Sequence, residues 1–248
     1  MRRLLAKRAT RWSERAFVVE GVEGVRTGLD AGAVPESVYV AAEDGHGVAE
    51  VASQAQELGV RVHVLAPGVM ARIADTVTPQ GVLAVFPTMD RGPEAMAGGT
   101  LAVVMDDVRD PGNAGTVLRT ADAAGVDVVV CCGGTVDPYN PKTVRSSAGS
   151  IFHVPLVVEP DVHLALDLLA ARGYRRLGAV VRDGEDYAAV DWRQPTALVL
   201  GNEAAGLPAG LVLEGTVAIP MAGRAESLNV GTACAVLCFE ALRQRRAR

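Results

Sequence analysis

Aromatic residues are scarce in this 248-residue chain, at only 4%. A sandwich or barrel resting on aromatic cross-strand pairs is therefore disfavoured, and the many Ala, Val and Gly residues suit closely packed alternating strands and helices. No stretch of about 18 apolar residues runs free of charge or turn signals, as a membrane-spanning helix requires. The basic start MRRLLAKRATRWSER also lacks the apolar stretch of a secretory signal, so a soluble, cytoplasmic protein with no membrane partner is expected. Cysteine is limited to two close pairs, Cys131 with Cys132 and Cys234 with Cys238, and neither has histidines at zinc-ligand spacing. Buried thiols are the plain reading, and no metal is expected.

Several nucleotide and catalytic signatures are missing as well: a Walker loop, a G-x-G-x-x-G turn after a strand, a nucleophile elbow and a metal-ligand cluster. The segment GHGVAE near residue 45 begins like a dinucleotide loop but lacks the third glycine. A nucleotide-dependent dehydrogenase thus keeps only a parallel-sheet pattern in its favour. Excess positive charge is absent too, since the net charge is -5, which gives no general attraction to nucleic acid. Local clusters soften this: Arg2, Arg3, Lys7, Arg8, Arg11 and Arg15 at the start, and Arg243, Arg245, Arg246 and Arg248 at the end. They are either phosphate contacts or solvated termini.

What is present reads as α/β. FVVEGVEGVRTGLDAG suggests a strand and a helix, SVYVAA and VRVHVL suggest strands around the helical VAEVASQAQELG, and TPQGVLAVF closes the unit with a strand. A small domain over 1–90 and a linker over 91–99, rich in Gly, Pro and charge, are expected to precede a larger domain over 100–248. In that domain LAVVM, VDVVV, LGAVV, TALVL and GTVAI alternate with helical segments, the pattern of a mostly parallel sheet covered on both faces.

Three segments place polar residues and glycines where strands end, the edge at which open parallel sheets bind ligands. In the first, a turn with Asp110, Pro111, Gly112 and Asn113 starts a helix carrying Arg119 among apolar neighbours. A buried arginine needs an acidic or phosphate partner, although a capped helix explains the rest. In the second, ALVL meets Gly201, Asn202, Glu203 and Gly206, either a close backbone approach to a ligand or ordinary capping of a following helix. In the third, Pro220 stops a strand and Ser227 and Asn229 flank Leu228 before the final helix, where Ser227 is a natural N-cap.

In this order, NAGTVLRTADAAG, LVLGNEAAGL and IPMAGRAESLNV resemble the three motifs of the SpoU, or TrmH, family of the SPOUT methyltransferases. The preceding VVEGVEGVRTGL and PQGVLAVF resemble the substrate-binding domain of many relatives, similar in fold to ribosomal protein L30e. The resemblance implies an RNA 2′-O-ribose methyltransferase using S-adenosyl-L-methionine, acting on a structured RNA, ribosomal rather than transfer. It also implies a C-terminal domain tied in a deep trefoil knot and a homodimer with active sites at the interface.

Matched residue by residue, the resemblance makes Asn113, Arg119, Glu203, Ser227 and Asn229 catalytic or substrate-positioning. It gives the cofactor to Leu200, Gly201, Asn202, Ile219, Met221 and Leu228. The stretch NPKTVRSSAGS offers Lys142 and Arg145 for RNA phosphate, with Ser147 near the same face, against a reading as solvated surface. The last helix, with Ala233, Ala235, Val236, Cys238 and Phe239, is expected to present an apolar dimer surface. A transfer RNA substrate, or a catalytically silent RNA-binding member of the fold, are the alternatives.

Overall fold

The computed structural model describes residues 1–42, 45–74 and 79–246. It separates into two compact units, Met1–Met89 with Asp137–His153, and Asp90–Val136 with Val154–Arg248.

The first unit begins with α1 (Arg2–Ala6) and α2 (Arg8–Glu14), then runs β1 (Ala16–Glu20), α3 (Val22–Asp30), β2 (Ser37–Ala41), α4 (His46–Glu57), β3 (Arg61–Leu65), α5 (Val69–Ile73) and β4 (Val82–Pro87). Its sheet has the order β1-β4-β2-β3, with β4 antiparallel to both neighbours and β2 parallel to β3. Strands β1 and β4 are almost wholly buried, which is why FVV and VLAVF read as unbroken apolar runs.

The basic start is helical and docked. Arg11 is not available to phosphate: its side chain is 3% exposed, its Nε lies 2.6 Å from Asp137 Oδ2, and its Nη1 donates to the Leu4 carbonyl at 2.6 Å. Burying the Leu4 side of α1 carries Arg11 inward, and the buried guanidinium then requires its acidic partner. Arg3, Lys7 and Arg8 remain exposed.

Asp137–His153 is a later part of the chain that packs with this first unit, and the scarce aromatics are the reason. Phe17 of β1 has Tyr139 at 4.8 Å and Phe152 at 6.0 Å between ring centroids, while Phe86 of β4 meets Phe152 at 4.9 Å. Rings bury large areas and gain further from offset and edge contacts, so a cluster of them anchors a segment firmly.

The second unit contains β5 (Leu101–Met105), α6 (Pro111–Ala124) and β6 (Val128–Cys131); the next helix in the chain, α7 (Pro141–Ser146), belongs to the first unit. The second unit resumes with β7 (Leu156–Val158), α8 (Val162–Ala170), β8 (Arg175–Val180), β9 (Glu185–Asp186), β10 (Thr196–Leu200), β11 (Gly215–Ala218) and α9 (Val230–Arg246). The seven strands form one sheet, β7-β6-β5-β10-β8-β11-β9, parallel at every pairing.

β5 and β10 are buried along their whole length, and α8 packs with Met96 and the strands on one face. Helices α6 and α9 pack against each other. Strand order reverses at β5, with β6 and β7 on one side and β10 and β8 on the other, so a crevice opens beyond the C-terminal ends of β5 and β10.

Two expectations for the C-terminus change. Arg245 is structural, donating to the carbonyls of Trp192 at 2.9 Å and Thr100 at 2.8 Å, and Arg243 pairs with Glu240 at 2.7 Å. Arg246 is exposed, and Arg248 lies outside the described residues. Of the expected apolar surface of α9, Cys238 is buried within the unit, Ala233, Ala235 and Val236 are half-buried, and Phe239 is 47% exposed. All four cysteines are free and buried.

Candidate active site

Helix α6 starts where the sequence dictates. Asp110 adopts an extended conformation and its Oδ1 accepts from the Asn113 backbone N–H at 2.9 Å, while Pro111 takes the first helical position. Such a cap stabilises by about 1 kcal/mol and places the Asn113 side chain at the mouth of the crevice.

That side chain joins three distant segments. Asn113 Nδ2 donates to Glu203 Oε1 at 2.9 Å, and Asn113 Oδ1 accepts from Asn229 Nδ2 at 2.7 Å. Glu203 also accepts from the backbone N–H groups of Arg109 and Asp110, each at 3.3 Å. Burial acts to raise the Glu203 carboxyl, but the bonds from Asn113, Arg109 and Asp110 together hold it below the usual carboxylate range. Asn229 Oδ1 accepts from the N–H groups of Gly231 and Thr232 at 2.9 and 3.3 Å, so Asn229, not Ser227, caps α9.

No helix follows β10, contrary to the capping reading of Glu203. Residues 202–206 instead make a tight loop closed by Asn202 N–H to Gly206 O at 3.0 Å and Gly206 N–H to Asn202 O at 2.9 Å. The Asn202 side chain is engaged inside this architecture, donating to the Asp107 carbonyl at 3.0 Å and accepting from the N–H groups of Ala204 and Ala205. A Cβ on Gly201 would lie 2.5 Å from the Gly206 carbonyl oxygen and 2.7 Å from Leu207 N, so only glycine permits this backbone approach.

Beside the loop lies a cavity of about 190 Å³. Its walls include Leu200, Ile219, Met221, Ser227 and Leu228, five positions singled out in the sequence. Ala179, Val180 and Val181 at the end of β8 also line it. Sequence reasoning missed them, because an apolar strand end carries no chemical signal. An apolar slot next to a glycine cradle suits a flat heterocycle bound through backbone groups.

Arg119 departs from expectation. Val117, Leu118 and Ala121 are buried, but Arg119 itself is exposed, and among the described residues nothing pairs with its guanidinium. It lies one turn beyond Thr116, where α9 approaches so closely that a Cβ on Gly231 would come within 2.7 Å of Thr116 Cγ2. Lys142 and Arg145 sit exposed on α7 in the first unit, with Asn140 capping that helix through the Lys142 N–H at 2.9 Å. Ser147 does not share their face: it is fully buried and donates to the Val144 carbonyl at 2.7 Å.

Asn113, Glu203 and Asn229 thus meet through hydrogen bonds that tie the three motif segments together, and Ser227 lines the adjoining cavity. A model of the SpoU rRNA methylase family matches residues 100–239, more than half of the chain. The chain belongs to this SpoU family. A model described as the MRM3-like substrate binding domain matches residues 1–84.

Among SpoU relatives, the 23S rRNA (guanosine(2553)-2′-O)-methyltransferase RlmP of Bacillus subtilis is 36% identical over 92% of this chain and 89% of its own length. The 23S rRNA (uridine(2479)-2′-O)-methyltransferase of Streptomyces viridochromogenes is 32% identical over 98% of this chain and 88% of its own. The crystal structure of the SpoU methyltransferase AviRb from Streptomyces viridochromogenes in complex with the cofactor AdoMet superposes with a TM-score of 0.86 at 30% identity. It covers 99% of this chain and 96% of that one.

Among the described residues no helix is long and apolar enough to cross a membrane, and no group of three or more His, Cys, Asp or Glu side chains could hold a metal ion.

Proposed function

We propose that this SpoU chain transfers a methyl group from S-adenosylmethionine to a ribose 2′-oxygen of ribosomal RNA in the cytoplasm. The observation that carries the reading is the hydrogen-bonded series Glu203, Asn113 and Asn229, which ties the three motif segments together beside an apolar cavity. The ribosomal assignment is supported by relatives that span nearly the full chain and act on 23S rRNA.

The residues fit the cofactor: the Gly201 backbone cradle and the walls formed by Leu200, Ile219, Met221 and Leu228 would hold its adenosine portion. When bound, S-adenosylmethionine would supply a methyl group on a sulfonium sulfur: the C–S bond would break as the 2′-oxygen bonds to the methyl carbon, with the hydroxyl proton passing to water and a neutral thioether as the leaving group.

Arg119 acts on the oxygen. A guanidinium stays protonated at working pH, so it stabilises the developing alkoxide instead of abstracting the proton. Exposed, and with no partner among the described residues, it is available to RNA. Asn113 and Asn229 orient the ribose or the adjacent phosphate, with Ser227 at the cavity edge, and Glu203 fixes the Asn113 amide. Asn202 serves the cofactor by shaping the loop. Lys142 and Arg145 grip RNA phosphate from α7.

A homodimer through α9 would cover Phe239, and it brings a second copy toward the active site. A deep trefoil knot in the second unit is the reading that membership of the SpoU family suggests, and the strand order, with β10 between the earlier β5 and β8, is compatible with it.

The test is transfer of radiolabelled methyl groups into purified ribosomal and transfer RNA, with ribose label mapped by nuclease digestion. Arg119→Ala is expected to lower transfer by about 10²–10³-fold while cofactor binding persists. Failure to bind S-adenosylmethionine would refute the reading, and label confined to transfer RNA would overturn the ribosomal assignment.

A further inference from the structure

Arg109 stands beside the crevice, and no motif position singles it out. Its side chain is 72% exposed, yet it is tethered: Nε donates to Asp107 Oδ1 at 2.8 Å. Asp107 is itself anchored. Its N–H donates to the Gly133 carbonyl at 3.1 Å and its own carbonyl accepts from Asn202 Nδ2 at 3.0 Å. It holds a left-handed conformation, φ +55°, which aspartate tolerates better than most residues. Gly134 lies so near that a Cβ there would overlap Asp107 Oδ1. The acceptor that steers Arg109 is therefore set by the fold. Engaging Nε leaves the two terminal nitrogens, a fork that suits phosphate oxygens, with no partner among the described residues.

The Arg109 backbone N–H donates to Glu203 Oε2 at 3.3 Å, so the residue adjoins the series of Glu203, Asn113 and Asn229. Asp107, Asp110 and Glu203 gather three carboxylates where an RNA strand has to pass. Their hydrogen bonds satisfy oxygens without removing charge, and a phosphate would be repelled unless a cation faced it.

Arg193 supplies the contrast. It too stands two residues after an aspartate, with Nε 2.7 Å from Asp191 Oδ1 and a side chain 69% exposed. Arg109 follows the C-terminal end of β5, the ligand-binding edge, whereas Arg193 precedes β10 at the opposite edge of the parallel sheet. The local pairing is the same and only its place differs.

We propose that Arg109 binds RNA, its guanidinium held by Asp107 so that the terminal nitrogens meet a backbone phosphate beside the target ribose. The inference rests on the RNA methyltransferase reading above and deepens it: the second unit grips the RNA backbone next to the reaction itself.

Filter binding of a 23S rRNA transcript to the full chain, saturated with S-adenosylhomocysteine and repeated over a series of potassium chloride concentrations, tests it. Arg109→Ala should weaken binding about tenfold at low salt, the scale of one charge-assisted hydrogen bond. It should also flatten the slope of log affinity against log salt by about 0.7–0.9, the amount for one lost phosphate contact. Arg109→Lys should keep the wild-type slope, and Arg193→Ala should keep both slope and affinity. In methyl transfer the loss should fall on KM, because a phosphate grip holds substrate and transition state alike. A wild-type slope in Arg109→Ala, whatever its affinity, or an equal fall in Arg193→Ala, would overturn the proposal. With an active wild type, either result sinks the role of Arg109 alone. A wild type that neither binds the transcript nor methylates it sinks the methyltransferase reading as well.

Discussion

Replacing Asn113 by Asp keeps the shape of the side chain and turns one hydrogen bond into a clash of charges. In the native protein Asn113 Nδ2 donates to Glu203 Oε1 at 2.9 Å, while its Oδ1 accepts from Asn229. In Asn113→Asp the second contact survives and the first sets two carboxylates face to face. At 2.9 Å their repulsion is about 1.4 kcal/mol in a water-like dielectric and about 6 kcal/mol at an effective dielectric of about 20. Exposure of Glu203 favours the lower part of that range, about 2 kcal/mol, or roughly a thirtyfold loss of rate if the two carboxylates swing apart in the free enzyme and must be driven back together in the transition state.

The pair would titrate together, with one proton retained above the ordinary carboxylate range. That proton restores a donor to Glu203, so activity should be near native in mild acid and fall as pH rises through the pair's upper value. A raised folded-state value means that stability is present at low pH and lost through the same window, so the melting temperature should fall alongside. The wild type behaves oppositely: the Glu203 carboxyl is held low, its contribution is present at neutral pH, and it is lost only as pH falls through the folded value. The assay is kcat/KM for methyl transfer from pH 5 to 8 for both proteins. A variant whose profile runs parallel to the wild type at undiminished rate would refute the view that this bond organises the site.

Two further outcomes follow from packing. Gly201→Ala forces a methyl group against the Gly206 carbonyl and Leu207 N, both backbone atoms that cannot swing aside, and should weaken S-adenosylmethionine binding by about tenfold in equilibrium dialysis. Unchanged affinity would mean that the cofactor does not use this loop. Arg11→Ala leaves Asp137 buried without its cation and should destabilise the protein by about 3–5 kcal/mol in chemical denaturation. A loss below about 1 kcal/mol would show that water reaches Asp137 in the folded state.

Apolar runs located the main strands of both sheets, since a strand buried on both faces reads as an unbroken hydrophobic stretch and a half-buried one as an alternation. The short β7 and β9 escaped, because three and two residues carry no usable period. Helices α1 and α2 escaped because their charge resembled a solvated terminus. Asp110, Pro111 and Asn113 announced the start of α6, a local matter of capping. The same local logic misassigned the cap of α9 to Ser227, because Ser and Asn are equally good caps and only the tertiary path showed which one faces the free N–H groups.

By itself the sequence determined the α/β class and the family, and it singled out the candidate site residues, all of which are written in short contiguous strings. Only the tertiary structure decided which of those residues touch. The bonds of Asn113 to Glu203 and Asn229 span 90 and 116 residues, and no local pattern encodes a contact at that separation. It likewise decided burial, turning Arg11 inward to Asp137, leaving Arg119 in solvent and drawing Asp137–His153 into the first unit. The physical reason is common to all three: a side chain's exposure depends on what the rest of the chain packs against it, and that is a property of the fold as a whole.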